Sequence, residues 1–200
     1  MESNPTANRR RFLRAWGAAS AGLALCPWLA ARAEELPPTR GCSDGDDSTP
    51  RQMEGPYFKP RSPERGSLLD AGIGGTRIEL TGAVLSTRCK PVAGALLDFW
   101  QCDERGDYDN SGFQLRGHQF TDADGRYRLG TIVPGLYPGR TRHIHVKVQA
   151  PSRPVLTTQL YFPAEPYNQH DFLFRPELLL AVSDEGGRKI GRFDFVVKIA

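Results

Sequence analysis

The chain has 200 residues, 39% of them hydrophobic and 10% aromatic, a size that suits one domain with an ordinary core and excludes a large second domain. Its net charge is +3, but residues 1–33 hold five arginines against one acidic residue, so residues 34–200 carry a net charge of −1. A nucleic-acid-binding surface would need clustered basic residues, and no such cluster is visible beyond residue 33. We therefore expect no nucleic-acid partner.

Residues 1–33 have the pattern of a signal peptide. Arg9–Arg11 precede an apolar run over residues 15–30, and the triplet at 31–33 forms a small-residue cleavage site. The paired arginines followed by Phe-Leu resemble a twin-arginine signal, which directs folded proteins across the bacterial inner membrane. We therefore expect a periplasmic or secreted protein with no membrane attachment after cleavage.

Two other interpretations of the N-terminus fit the sequence less well. An uncleaved anchor helix is disfavoured because the apolar run is short and is broken by Pro27. A lipoprotein modified at Cys26 is disfavoured because Leu25 stands where a small residue is needed. Neither alternative fits as well as a cleaved twin-arginine-type signal.

The cysteines indicate one disulfide in the mature protein. Removal of Cys26 with the signal leaves Cys42, Cys89 and Cys102, an odd number that permits one disulfide and one thiol in an oxidising compartment. We predict that Cys89 pairs with Cys102. The cysteines show no spacing typical of a zinc or redox site.

The remaining sequence divides into an arm and an all-β domain. Residues 34–53 are rich in Pro, Gly, Ser and Asp and lack apolar periodicity, which predicts a flexible arm. Residues 54–200 contain short apolar or alternating runs between turn signals, which predicts an antiparallel β-sandwich with long active-site loops. A helical turn is predicted only at Pro176–Val182. The predicted strands are Arg77–Leu85, Ala95–Gln101, Arg126–Val133, His143–Ala150, Val155–Phe162 and Arg192–Ile199.

Two histidines stand on one side of a predicted strand. In the run from His143 to Val148 polar and apolar residues alternate, so His143 and His145 share one face and Ile144 lies on the other. Such a pair can bind one metal ion. The spacing alone is not specific, because surface histidines or a structural pair would show it too.

Two tyrosines lie in glycine-containing loops upstream of this pair. Tyr137 precedes His143 by six residues, and Tyr108 follows Gly106 just after a predicted strand. A tyrosine hydroxyl has a pKa near 10, so a phenolate at neutral pH needs a strongly charged neighbour such as a trivalent metal. Two phenolates, two neutral imidazoles and one hydroxide balance the charge of a ferric ion, which suits a partly dry pocket.

These residues lie within an ordered set of motifs that resembles the intradiol ring-cleavage dioxygenases, in particular the iron-bearing chain of the protocatechuate 3,4-dioxygenases. The resemblance is carried by Gly82–Phe162 together with a motif near residue 54. It covers most of the mature chain, and the order of the motifs makes it specific. They are Glu54–Phe58, Pro91–Ala95, Phe99–Asp103, Gly106–Tyr108, Thr121–Tyr127, Pro134–Pro138, His143–His145 and Thr158–Phe162.

The resemblance implies a mononuclear non-haem Fe(III) centre with four protein ligands. Tyr108 and His145 match the equatorial ligands, and Tyr137 and His143 match the axial ones. The substrate would be a catechol bound through both oxygens, which displaces Tyr137. Dioxygen would then open the ring between the two hydroxyls and give a cis,cis-muconate.

The resemblance also assigns residues around the metal. Arg140 matches an arginine that stabilises charge developing on the ring, a role that needs a fixed cation in a water-poor site. Gln159 matches a glutamine near the iron, and Gly55, Pro56 and Tyr57 match a segment that lines the substrate pocket. Arg142 departs from the small residue that relatives often have there and is expected to face solvent.

Other aromatic and histidine residues are interpreted as structural. Tyr127, Tyr161 and Trp100 are expected in the core or on a sheet face, and His118 and His170 at the surface. The main alternative function is a secreted β-sandwich binding or accessory module without turnover. A zinc or copper protein using only the two histidines would leave both matched tyrosines without a role.

The sequence leaves two properties open, the substrate and the oligomeric state. The substrate is some catechol-type aromatic, and catechol, protocatechuate, hydroxyquinol and a lignin-derived aromatic all fit. The oligomeric state is also open, with a homo-oligomer among the options, because the chain lacks the helical N-terminal region that resembles a dimerisation segment in catechol 1,2-dioxygenases.

Overall fold

Strands account for most of the regular structure in this computed structural model, which describes Cys42 and residues 48–199. Single-turn 3₁₀ helices cover Pro166–Gln169 and Pro176–Leu178. The strands within the described residues are β1 (Arg77–Ser86), β2 (Leu96–Trp100), β3 (Arg116–Phe120), β4 (Arg126–Ile132), β5 (His143–Gln149), β6 (Leu156–Tyr161), β7 (Ala181–Glu185), β8 (Arg188–Arg192) and β9 (Phe195–Val197).

The strands form the two layers of a β-sandwich. One sheet has the order β3-β2-β5-β6, and all of its pairs are antiparallel. The other has the order β4-β1-β8-β7, and β9 pairs with the end of β1. The predicted all-β sandwich is confirmed, with the added detail that β1 runs parallel to β8 and β9.

Alternating side chains build the core between the sheets. Ile78, Leu80 and Val84 of β1 are buried on one side, and Ile144 and Val146 of β5 are buried from the other layer. Burying each such side chain contributes about 1.5–3 kcal/mol, so the apolar face of β5 fixes the direction of its polar face. His143 and His145 therefore project away from the core on the opposite side of β5.

The strand predictions were correct where apolar residues alternate and incomplete elsewhere. β3 was missed because its two buried positions, which lie on opposite faces of the strand, carry Arg116 and Gly117 instead of apolar residues. The hairpin β7–β8 was missed because its residues are mostly polar and exposed or half-buried. The helical turn predicted at Pro176–Val182 is a shorter 3₁₀ turn.

Part of the predicted flexible arm is held by the sandwich. The backbone N–H of Thr49 donates to Val196 O at 2.9 Å, and that of Gln52 donates to Thr157 O at 2.9 Å. The Thr158 hydroxyl donates to Pro50 O at 2.7 Å. Residues 49–52 are thus hydrogen-bonded to β6 and β9, and the flexibility of the arm stays a prediction. The predicted signal peptide lies outside the described residues.

The disulfide joins different cysteines from those predicted. Cys42 is bonded to Cys89, and Cys102 is a buried free thiol. The predicted Cys89–Cys102 pair is wrong because the two residues flank opposite ends of β2, and its five residues extend about 17 Å at about 3.3 Å per residue. Burial raises the pKa of the Cys102 thiol to about 11, so this group stays protonated and unreactive at neutral pH.

Loss of the Cys42–Cys89 bond is expected to destabilise the fold. Because 47 positions separate the two cysteines, the crosslink restricts the unfolded chain, an effect of about 2–4 kcal/mol. Urea denaturation of the wild type with and without reductant measures it, and a Cys42→Ser variant should lose all sensitivity to reductant. A variant that still responds to reductant would show that another pair forms the bond.

In the part of the chain that the structure describes, no helix has the length and apolar character needed to cross a membrane.

Candidate metal centre

The two histidines of β5 converge on one point. His143 and His145 are each 3% exposed, and their Nε2 atoms lie 3.2 Å apart. The Nδ1 of His143 lies 2.6 Å from Thr141 O and therefore carries a proton that it donates, which leaves a lone pair on Nε2. Two ring nitrogens that each lie about 2.0–2.1 Å from one ion can be this far apart, so the pair fits a shared metal.

Burial keeps both imidazoles neutral. Desolvation lowers the pKa of His143 to about 4 and lowers the pKa of His145 well below its usual value. The nearby Arg140 guanidinium acts in the same direction on both. Neutral imidazole is the form that binds metals, so both rings are ready to act as ligands at neutral pH.

Tyr108 reaches the histidines from the loop after β2. Its ring centroid is 6.3 Å from that of His145 and 5.9 Å from that of Tyr137. Burial raises the pKa of the Tyr108 hydroxyl, so the protein alone holds it as a phenol. Only a cation at the site would favour the phenolate, which agrees with a metal of high charge.

A glycine allows the two tyrosine loops to touch. Gly106 has φ +95°, and a Cβ atom there would lie 2.3 Å from Leu136 O. Gly135 N also donates to Asp103 O at 2.7 Å, which joins the same two loops. Any larger residue at position 106 would separate the loops that carry Tyr108 and Tyr137.

Tyr137 faces a further tyrosine. Its hydroxyl lies 2.9 Å from the hydroxyl of Tyr57, and the rings of these two residues are 5.6 Å apart in an edge arrangement. The ring of Tyr57 stacks on that of Tyr108 at 4.3 Å. Because of its hydrogen bond with Tyr137, the pKa of the Tyr57 hydroxyl is raised. The four predicted ligands and Tyr57 therefore form one cluster.

The predicted pocket segment lies directly beside this cluster. Gly55 has φ +71°, and a Cβ atom there would lie 3.5 Å from Cε1 of His145. Pro56 is exposed and stands between Gly55 and Tyr57 in the chain. The segment Gly55–Tyr57 thus forms a wall of the cluster on the side of His145 and Tyr108.

Arg140 and Gln159 contact each other beside the histidines. Gln159 is opposite His145 in the β5–β6 register, and its Oε1 accepts a hydrogen bond from Arg140 Nη2 at 2.7 Å. The Gln159 side chain is fixed in turn by donation to Met53 O at 2.9 Å. Tyr161, correctly predicted as a core residue, also lies within hydrogen-bonding distance of Gln159 Oε1.

Asp171 was missed in the sequence, although it holds Arg140. Its side chain is fully buried, and Oδ2 accepts hydrogen bonds from Arg140 Nε at 2.8 Å and from Thr141 N at 3.0 Å. Leu173 N donates to its other oxygen. No local motif marks this aspartate, because it lies 31 positions after Arg140 in an irregular loop.

Arg142 does not simply face solvent. It forms an ion pair with Glu165 at 2.9 Å and donates to Pro134 O at 2.5 Å, and its side chain is 29% exposed. The expectation of a solvent-facing arginine is therefore wrong. Arg142 instead connects the loop before Tyr137 to the loop after β6.

Trp100 and the other residues interpreted as structural keep that role. The Trp100 ring stacks on His145 at 4.8 Å with an interplanar angle of 8°, so it fixes the orientation of that imidazole. Tyr127 is buried and donates to Phe193 O. His170 is exposed, whereas His118 is half-buried and donates from Nδ1 to Ser62 O at 2.8 Å.

Comparison with known proteins shows the family of the chain. A family model described as dioxygenase matches residues 53–198. The chain is 32% identical to catechol 1,2-dioxygenase 2 of Acinetobacter lwoffii over 90% of this chain and 75% of that protein. The chain belongs to the intradiol ring-cleavage dioxygenases. Family membership accounts for the order of the motifs along the chain.

Other relatives define the extent of this likeness. The protocatechuate 3,4-dioxygenase beta chain of Burkholderia cepacia is 37% identical over 50% of this chain and 51% of that protein. Matches to several catechol 1,2-dioxygenases likewise span little more than half of those proteins. Among solved structures, the dioxygenase domain of a dioxygenase carbohydrate-binding protein fusion from Streptomyces sp. SirexAA-E is 61% identical. It has a TM-score of 0.75 and covers 77% of this chain and 100% of that domain.

Proposed function

We propose that this intradiol dioxygenase is a non-haem iron(III) enzyme that opens a catechol-type ring between its two hydroxyls, using O2 and giving a cis,cis-muconate-type dicarboxylate. The observation that carries the proposal is the approach of His143 Nε2 and His145 Nε2 to 3.2 Å beside the rings of Tyr108 and Tyr137. A binding module without turnover would not require this convergence of four ligand side chains.

The donor set matches a ferric ion. Two phenolates and two neutral imidazoles carry two negative charges, so one hydroxide would balance a trivalent ion. A catecholate dianion would balance it once Tyr137 has left. Within the described residues, no group of three or more His, Cys, Asp or Glu side chains offers another metal site. When bound, the iron would make the catechol hydroxyls acidic and activate the ring toward dioxygen.

Tyr137 and Tyr57 would handle the protons released by the substrate. The Tyr137 hydroxyl is hydrogen-bonded to Tyr57 at 2.9 Å, so it has a partner when it is not a ligand. As a phenolate it can accept one catechol proton and then share it with the Tyr57 oxygen. Tyr108 has a different environment, because its ring stacks on that of Tyr57.

Arg140 would supply a fixed positive charge for the electron-rich ring. Its Nε and one Nη2 proton are used by Asp171 and Gln159, so the guanidinium is held in one orientation while other N–H groups stay free. A cation that is already oriented needs no reorganisation when charge develops during the reaction. Asp171 is a positioning residue in this arrangement, because it acts through Arg140.

The substrate is expected to lie against Gly55–Tyr57. Gly55 approaches His145 closely, and a side chain at this position would occupy the space beside the metal ligands. A flat catechol ring fits beside a backbone segment without a side chain. The class of substrate is therefore a catechol-type aromatic, and the neighbouring loops select among its members.

We also propose that the mature protein acts in the periplasm or outside the cell after cleavage following residue 33. The Cys42–Cys89 disulfide supports this location, because such bonds persist in oxidising compartments. N-terminal sequencing of protein recovered from the periplasm should begin at Glu34. A recovered chain that retains residues 1–33 would contradict cleavage.

The proposed function is tested by a visible absorption spectrum of iron-loaded protein under nitrogen, before and after catechol is added. We expect a tyrosinate-to-iron(III) band that moves to longer wavelength with catechol, followed by muconate formation when air is admitted. Protein that contains iron but is colourless and inert toward catechol would instead favour the binding module.

Replacing Tyr137 by phenylalanine is expected to slow turnover about tenfold or more while catechol still binds. The reason is that Tyr137 leaves the metal on substrate binding, so its loss affects proton handling more than affinity. Stopped-flow absorbance gives the catechol affinity, and oxygen uptake gives kcat. Tyr167→Phe, a change at an exposed tyrosine, is the control. Unchanged kcat in Tyr137→Phe would refute the proton-handling role.

A further inference from the structure

Arg116 is a buried cation at the start of β3. It is 1% exposed, and it lies opposite Trp100 in the β2–β3 register. In the described part of the chain its side-chain hydrogen bonds all go to backbone carbonyls and none goes to a carboxylate. Arginine is almost never fully buried unless it is paired, so this side chain calls for an explanation.

The carbonyls that Arg116 contacts belong to the Gly55–Tyr57 segment and to the loop of Tyr108, which both lie beside the metal centre. Nη1 donates to Tyr57 O at 2.5 Å, whereas Nε and Nη2 both donate to Asp109 O, at 3.2 and 3.0 Å. Asp109 directly follows Tyr108 in the chain. The guanidinium carbon itself lies 6.0 Å from the centre of the Tyr108 ring.

The tyrosines that these loops carry are stacked on each other. The rings of Tyr57 and Tyr108 are 4.3 Å apart with an interplanar angle of 10°, and Tyr57 also holds the Tyr137 hydroxyl. The loops lie far apart in the sequence, so their relative position depends on side-chain bridges. Arg116 is one such bridge, because one rigid guanidinium binds both backbones.

The Asp109 side chain leaves its carbonyl available for this bridge. Its carboxylate oxygens accept hydrogen bonds from Ser111 N, Gly112 N and Gln114 N and so form the turn after Tyr108 from within. The shape of the turn is therefore held by hydrogen bonds that do not involve Arg116. The arginine contributes the link between this turn and Tyr57, not the shape of the turn.

We infer that Arg116 is a positioning residue for the metal centre, which sets the alignment of Tyr108 and Tyr57 by holding their two loops in one fork. This inference rests on the proposed function, since it assigns Arg116 to that same site. Lysine cannot replace the fork, because its single ammonium group does not present two rigid, divergent sets of N–H donors.

Arg65 provides a matched control, because its side chain contacts the same strand. It donates from Nε to Arg116 O at 2.9 Å and from Nη2 to Phe113 O at 2.5 Å, and it forms an ion pair with Asp70. It therefore also secures this strand and the Tyr108 loop through carbonyls. Its contacts do not include any of the three tyrosines.

The experiment compares Arg116→Lys, Arg116→Gln and Arg65→Gln in the full chain, loaded with iron. All three should lower the melting temperature. Only the two Arg116 variants should shift the tyrosinate-to-iron band per bound iron and lower kcat about 10- to 100-fold. Near-ultraviolet circular dichroism of the metal-free proteins should show altered tyrosine packing in the same two variants and not in Arg65→Gln.

Two results would overturn the inference. One is an Arg116→Lys variant whose band, kcat and tyrosine dichroism all equal those of the wild type, since charge alone would then suffice. The other is an Arg65→Gln variant that reproduces every change, since the role would then be general stability. Failure of the proposed function is a separate result, because colourless, inactive wild-type protein would leave the metal-free dichroism test intact.

Discussion

Replacing Tyr108 by phenylalanine is expected to remove most of the tyrosinate colour and to weaken iron binding by on the order of 10²-fold or more. Loss of a residue that only hydrogen-bonds to a metal ligand already lowers metal affinity by about 10–100-fold. Phenylalanine has no oxygen, so the site loses one ligand and one negative charge. Iron analysis after dialysis gives the metal content, and the visible spectrum gives the colour per iron.

The control for this change is Tyr127→Phe. Tyr127 is buried and its hydroxyl donates to Phe193 O in the core, so its replacement also deletes one buried hydrogen bond. It should lose about 1 kcal/mol of stability and retain iron and colour. If Tyr108→Phe kept the wild-type band and iron content, Tyr108 would not be a ligand.

Replacing Arg140 by glutamine is expected to lower kcat by about 10²–10³-fold while the iron content and the visible band stay close to wild type. Arg140 contacts Asp171 and Gln159 and is not itself a ligand. Its charge would therefore act on the reacting ring and not on metal retention. Steady-state oxygen uptake at saturating catechol, together with iron analysis, separates the two effects.

Arg142→Gln is the matched control for Arg140→Gln. Arg142 lies two residues further on and also binds one carboxylate, that of Glu165, and one carbonyl oxygen, which for Arg142 is the backbone oxygen of Pro134. Its kcat should stay within about twofold of wild type, because its side chain contacts Glu165 and Pro134 O and not the Arg140, Asp171 and Gln159 group. Equal losses in both variants would show that loop stability, and not the charge of Arg140, limits turnover.

A second variant addresses the buried charge that Arg140→Gln leaves behind. Asp171 is fully buried, and breaking such a pair destabilises a protein by about 3–5 kcal/mol. The double change Arg140→Gln and Asp171→Asn removes both charges and should recover much of that stability. Activity should not recover with it, since the cation stays absent.

The parts of this protein that follow local rules could be predicted from sequence. The alternation around His143 and His145 fixes both the strand and the face of the histidines, because Ile144 must enter the core. Tyr137 lies near them along the chain. Tyr108 was predicted as a ligand only through the ordered resemblance, since no local rule brings the end of β2 to the beginning of β5.

The parts that depend on distant contacts could not be predicted. Asp171 and Arg116 look like ordinary loop and strand residues, and their roles come from partners 31 and 59 positions away. The disulfide was misassigned for the same reason. The number of cysteines does not show which of them lie close together in the fold. Cys42 and Cys89 are bonded although 47 positions separate them in the sequence.

The strand predictions show the same limit. β3 carries an arginine and a glycine at its two buried positions, so its pattern contains no apolar signal. β7 and β8 are mostly exposed or half-buried, with buried residues only at Ile190 and Gly191. Strands were predicted where buried apolar residues alternate, and missed where such residues are few.

The pairing of β5 with β6 places His145 opposite Gln159 and His143 opposite Tyr161. If these strands slipped by one residue, the histidines would turn into the core and Ile144 would turn toward the pocket. A slipped chain could not bind iron, so the free energy of metal binding is added to the native pairing only. Bound metal would therefore favour the native strand register over a slipped one. The colour of the protein would report the fraction of molecules that have this register.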